Sequence, residues 1–235
     1  QLSNKYLLKG FMGLLPKPFS ALIIGASGTI GSSFVKLLES HPACSKVVGI
    51  HRNSDHAIDY HHPESIEASA GSLSESGPFQ LIINTIGVLH SEQWMPEKKL
   101  DDLNQVQLTE MFNTNTIGPA LTIKYFSKLL DPKHGVMATL SAKVGSIEDN
   151  RLGGWYGYRA SKAALNMYTR HLAFRLQKQK IIVSGVIRPY DITSDNSINS
   201  SQIADLKLSY DKDGIEADIL ETPWGLKLMR TIWPF

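Results

Sequence analysis

Short apolar runs alternate with longer periodic stretches along this chain. Residues 21–25, Ala-Leu-Ile-Ile-Gly, read as a buried strand ending in glycine. Residues 30–38 follow with Ile30, Phe34, Leu37 and Leu38 on one helical face. Further strands are predicted over 46–50, faintly over 65–70, and over 79–84, 135–140 and 181–187. Two long helices are predicted over 108–130 and 155–177; the first carries Met111, Phe112, Leu121, Tyr125, Phe126 and Leu129 for its apolar faces. Strands alternating with helices imply βαβ units. The fold class is therefore α/β, a single Rossmann-type doubly wound parallel sheet with helices on both faces.

No internal repeat or long linker interrupts the pattern. Residues 1–235 are expected to form one nucleotide-binding domain, with 1–18 as an N-terminal extension and 190–235 as a short substrate-loop and C-terminal region. The stretch before Glu39 has lysines and no acid, as at the end of a transit peptide, but it lacks arginine. A short element leading into the core is the preferred reading. In doubly wound sheets, ligands bind at the carboxyl ends of the strands, so the residues just after each strand are where chemistry is sought.

Composition narrows the function classes. With 24 Lys+Arg against 22 Asp+Glu, the net charge of +2 lacks the basic excess of a nucleic-acid binder. No apolar run approaches the ~18 residues of a membrane span, so no membrane partner is expected. Cys44 is the single cysteine, which excludes an internal disulfide and a cysteine zinc cluster and fits a reducing, cytoplasmic setting. His61 and His62, with His51 and His56 nearby, lack a matching carboxylate spacing and read as a polar loop, so no metal is expected. The sequence has neither a Gly-x-Ser-x-Gly elbow nor a Walker loop.

Two segments carry candidate chemistry. Gly25-Ala-Ser-Gly28-Thr-Ile-Gly31 places three glycines between a buried strand and a helix. Such a turn presents backbone N–H groups and a positive helix end to a pyrophosphate. The second strand then runs into His51-Arg52-Asn53, with no carboxylate before Asp55. A basic residue at this place favours the 2′-phosphate of NADP over the bare ribose of NAD. The other segment is Tyr158-Arg-Ala-Ser-Lys162. The i, i+4 spacing puts phenol and ammonium on one helical face, and a neighbouring ammonium lowers a phenol pKa of ~10 toward useful acid/base work.

Together with Asn84-Thr-Ile-Gly87 after a strand, Asn115-Thr-Ile-Gly-Pro119 in the first long helix and Ser141 after the 135–140 strand, these motifs resemble the short-chain dehydrogenase/reductase family over about residues 20–193. The run from Ser141 through Gly-Gly-Trp-Tyr156 looks like its C-factor-like or sniffer-like carbonyl reductase branch. The resemblance implies an NADP(H)-dependent oxidoreductase acting on a small carbonyl or alcohol substrate, as a homodimer or homotetramer. It implies Tyr158 as general acid/base, Lys162 lowering its pKa and holding the nicotinamide ribose, Ser141 on the substrate oxygen and Asn115 holding a relay water. The cofactor contacts implied are Gly25, Ser27, Gly28, Thr29, Ile30, Gly31, Arg52, Asn84, Thr85, Ile86, Gly87, Tyr158, Lys162, Pro189 and Ile192.

Four features depart from the family pattern. The middle glycine is Gly28, where most members place it at the position of Thr29. Counting back from Gly145, the usual serine slot falls on Ala142, one place past Ser141, and Ser146 is a second candidate. Tyr190 replaces the glycine of the Pro-Gly pair that normally follows the last strand predicted here. Only 73 residues follow Lys162, so the substrate lid looks reduced. These departures sustain an alternative, a non-catalytic NADP(H)-binding sensor on the same scaffold. Asn84 and Asn115 also each have a structural alternative, tying strand ends or satisfying a helix backbone.

Overall fold

A computed structural model describes residues 15–147, 150, 153–176 and 182–188. Strand β1 (Phe19–Ile24) is buried along almost its whole length, and its side chains alternate between two cores. Ala21 and Ile23 join Phe34 and Leu38 of helix α1 (Thr29–Glu39) on one face of the sheet. Leu22 and Ile24 join Ile66, Ile123, Phe126 and Met137 on the other.

Strands β2 (Cys44–Ile50), β3 (Leu81–Asn84), β4 (Val136–Ala142) and β5 (Ile182–Arg188) complete a five-stranded sheet in the order β2-β1-β3-β4-β5. Every pairing is parallel. Because β1 pairs β2 on one side and β3 on the other, the chain reverses direction of winding there, and a crevice opens at the carboxyl ends of β1 and β3. The architecture is the Rossmann-type α/β fold expected from the alternation of elements.

Two elements differ from expectation. Residues 65–70 are not a strand but lie in helix α2 (Pro63–Ser72). Pro63 and Glu64 open it, both favourable in a first turn, and Ile66, Ser69 and Ala70 are buried at i, i+3, i+4 spacing. The long helix expected over 108–130 is segmented into α3 (Gln105–Phe112), a π-turn (Asn113–Ile117) and α4 (Gly118–Phe126). Helix α5 (Tyr156–Leu176) matches the second long helix.

Candidate active site

The glycine turn has the shape its sequence implies. Gly25 adopts φ +85°, a left-handed conformation that glycine enters freely, and its amide and that of Ala26 donate to the carbonyl of Ile50 at 2.9 and 3.0 Å. A Cβ on Gly31 would overlap the Gly25 carbonyl oxygen, so helix and turn meet here only because Gly31 has none. Gly28 caps α1 without any side-chain hydrogen bond, and no acid stands in the first turn. Ser27, Thr29 and Ile30 surround this helix end, whose first amides carry the partial positive charge of a helix N-terminus. Arg52 is exposed, two residues beyond Ile50 and therefore beside the same turn.

The segment leaving β3 is held from several sides. Thr85 donates its hydroxyl to the Ile24 carbonyl at 2.8 Å. Asn84 is fully buried; it donates to the Tyr60 hydroxyl at 2.9 Å and accepts from the Ile86 amide at 3.1 Å. The Thr85 side chain thus ties the ends of β3 and β1, while that of Asn84 ties the end of β3 to Tyr60 in the turn before α2.

The π-turn gives Asn115 its reach. Its Oδ1 accepts from the Val88 amide at 2.9 Å, while its Nδ2 donates to the Val88 carbonyl at 2.8 Å and to the Ser161 hydroxyl at 3.2 Å. One amide therefore pins the loop after β3 to helix α5. π-turns of this kind recur at functional sites because they re-aim one side chain.

Lys162 is buried at 3% exposure and donates to the Leu140 carbonyl at 3.1 Å. Its Nζ lies 5.8 Å from the centroid of the Tyr158 ring. Asn115 Oδ1 and Lys162 Nζ both sit 3.2 Å from where a Cβ on Gly87 would stand, so the three residues meet at one point. Burial holds the lysine ammonium well below its usual range, at about 8.

The serine expected to hold substrate is oriented otherwise. Ser141 donates its hydroxyl to Asn166 Oδ1 at 2.5 Å. Asn166 follows Lys162 by one helical turn, so Tyr158, Lys162 and Asn166 share one face of α5. Ala142 and Ser146 are both buried next to this face, flanking the 3₁₀ turn Lys143–Gly145. Sequence reading missed Asn166, which the same i, i+4 spacing could have revealed. It also missed Glu97, whose 1% exposure is a purely tertiary result. Pro189 and Ile192 lie outside the described residues, as does Tyr190.

A cleft of about 700 Å³ borders Val88 and is lined also by Trp94, Val106, Thr109, His61 and Glu110. The four loop histidines take separate partners: His61 faces Glu110 at 3.3 Å, His62 faces Glu64 at 3.5 Å, His56 bonds Ser72, and His51 accepts from the Asn53 amide. Among the described residues no helix is long and apolar enough to cross a membrane.

Comparison with known proteins gives matches of two kinds. The model of the flagellar L-ring protein family, FlgH, matches residues 169–234. The flagellar L-ring protein of Campylobacter jejuni (strain 81-176) is 48% identical over 67 residues, 28% of this chain and 29% of that protein. The chain thus spans less than a third of the length of the L-ring relatives it matches. A 1-hydroxy-2-glutathionyl-2-methyl-3-butene dehydrogenase of Rhodococcus sp. (strain AD45) is 33% identical over 127 residues, 54% of this chain and 53% of that enzyme. Among solved structures, the carbonyl reductase Sniffer of D. melanogaster superposes with a TM-score of 0.68 at 20% identity, covering 79% of this chain and 88% of that one. The NADPH-bound carbonyl reductase from chicken fatty liver superposes with a TM-score of 0.65 at 21% identity, covering 82% and 89%.

The tail match bears on two of the departures noted in the sequence. Tyr190 and the unusual residues after it fall inside the L-ring match, as do Pro189 and Ile192 and the whole of β5.

Proposed function

We propose that this chain is a short-chain dehydrogenase/reductase that carries out an NADP(H)-dependent exchange between a carbonyl and an alcohol. The observation that carries this reading is the meeting of Gly87, Asn115 and buried Lys162 beside the Tyr158 ring. The uncapped start of α1 fits the diphosphate, and Arg52 beside the turn fits a 2′-phosphate. When bound, the nicotinamide supplies the hydride. Tyr158 donates a proton to the carbonyl oxygen in reduction and takes it back in oxidation. The Lys162 ammonium stabilises the phenolate left behind. Asn115 keeps the loop at Val88 fixed while this happens. Ser141 would donate to the substrate oxygen by turning its hydroxyl proton away from Asn166 Oδ1, whereas Ser146 lies beyond Ala142 as the second candidate.

The half-buried single thiol of Cys44 fits a cytoplasmic enzyme. Exposed apolar side chains on α3 and α5, Val106, Met167 and Tyr168, support a homodimer or homotetramer built on these helices.

The test is a fluorescence titration with NADPH and NADH, then a carbonyl screen. Preference for NADPH that Arg52→Ala weakens, with turnover lost in Tyr158→Phe, supports the reading. No binding of either nucleotide sinks it.

A second reading rests on the L-ring match. On it the chain is composite, with oxidoreductase sequence through most of α5 and a segment of flagellar ring protein after it. The diphosphate end of the nucleotide site would then be complete, while the segment expected to meet the nicotinamide would come from another family. NADPH binding without turnover over the whole carbonyl panel favours this reading. A junction peptide across residues 168–182, detected by mass spectrometry in the native cell, tests whether the two parts are one product.

A further inference from the structure

The geometry points to Glu97 as the positioning residue for Tyr158, a buried carboxylate in the loop between β3 and α3 that fixes the entry of α5. This rests on the reading of Tyr158 as the acid/base group. Glu97 reaches 60 residues along the chain and uses both of its ends. Its backbone carbonyl accepts from the Trp155 amide at 2.6 Å, and its two carboxylate oxygens accept from the Gly157 amide at 3.3 and 3.4 Å. Gly157 lies in the first turn of α5, where amides lack helical partners and the helix end is positive.

Ordinary caps are local and solvent-exposed serines, threonines or aspartates. Here a carboxylate is instead buried to 1% exposure, a costly placement that persists only when it is well hydrogen-bonded. The clasp is tight. A Cβ on Gly157 would stand 2.8 Å from Glu97 Oε1, and one on Gly154 would stand 3.3 Å from the Glu97 carbonyl oxygen. Between these glycines Trp155 is held at φ +52°, a strained conformation for a tryptophan. The Trp155 ring in turn meets the Tyr158 ring edge-on, 6.3 Å between centroids at 78°. Glu97 thus fixes the residue that packs against the phenol and the amide that precedes it, and touches neither nucleotide turn nor Lys162 in any described contact.

The test compares Glu97→Ala, Glu97→Gln and Glu97→Asp in the full chain. Glu97→Ala is expected to lower kcat by about ten- to a hundredfold, the scale of a small misplacement of a reacting group, with the NADPH Kd within threefold of the parent. Glu97→Gln keeps an oxygen for the Gly157 amide and is expected to restore most of kcat. Hydrogen exchange of the peptide 153–158 supplies a readout independent of turnover: it should quicken in Glu97→Ala and stay slow in Glu97→Gln. If Glu97→Ala does not fold, Glu97→Asp, with a shorter reach, should show quickened exchange and reduced kcat. Unchanged exchange and kcat in the truncated variant overturn the proposal, as does a glutamine variant no better than alanine. A parent protein that never turns over, while exchange still responds as described, leaves the clasp standing and removes the oxidoreductase reading.

Discussion

Replacing Lys162 by methionine should make the protein more stable at neutral pH and inactive. Burial lowers the lysine pKa from 10.5 to about 8. Below pH 8 the ammonium is charged in both folded and unfolded chains, and the folded state carries the full cost of burying it. Between 8 and 10.5 the unfolded chain holds the proton and the folded one has released it, so stability rises with pH through that window. A difference of 2.5 units corresponds to about 3 kcal/mol at pH 7, and roughly 2 kcal/mol of it should be relieved by pH 9.5. Methionine removes the charge and also the bond to the Leu140 carbonyl, which is worth about 1 kcal/mol. The net gain at pH 7 is then about 2 kcal/mol. Urea unfolding followed by circular dichroism at pH 7 and 9.5 measures it. The parent should gain on the variant as pH rises. Parallel pH dependences, or a variant less stable at pH 7, would refute the reasoning.

Gly31→Ala drives a Cβ into the Gly25 carbonyl oxygen. It should cost about 1–3 kcal/mol in unfolding free energy and abolish NADPH binding in a fluorescence titration. Ser141→Ala should leave kcat within about threefold of the parent, since its hydroxyl is committed to Asn166; a loss on the general-acid scale of about a hundredfold would return Ser141 to the substrate oxygen. Asn115→Ala frees both polar groups of Val88 and removes the bond that the Ser161 hydroxyl accepts, and should cost about 2–4 kcal/mol in thermal or urea unfolding while lowering kcat.

What the sequence made legible, and what it hid, follows from the range of the forces involved. The glycine turn could be read because a strand-to-helix turn demands glycines at those spacings, whereas Tyr158 with Lys162, and Asn115, stood out only through the order of motifs that resembles a known family. Helix α2 was mistaken for a strand because its apolar content is slight; Pro63 followed by Glu64 was the signal to heed. Asn115, in the π-turn, bonds Val88 across 27 residues, and Glu97 bonds Gly157 across 60. Neither leaves a periodic trace. Tyr190 is a different kind of signal: it departs from the short-chain pattern and lies in a stretch that matches the flagellar L-ring model.

Strand β5 gives this a wider meaning. It pairs with β4 over seven residues, from Val136↔Ile182 to Ala142↔Arg188, and all seven residues of β5 fall within the L-ring match, whereas those of β4 lie outside it. A parallel ladder is read through amides and carbonyls, which all residues but proline share. A strand such as β4 therefore selects its neighbour for an extended backbone and for little else. A segment from another lineage can therefore sit beside β4 without the ladder itself recording where it came from.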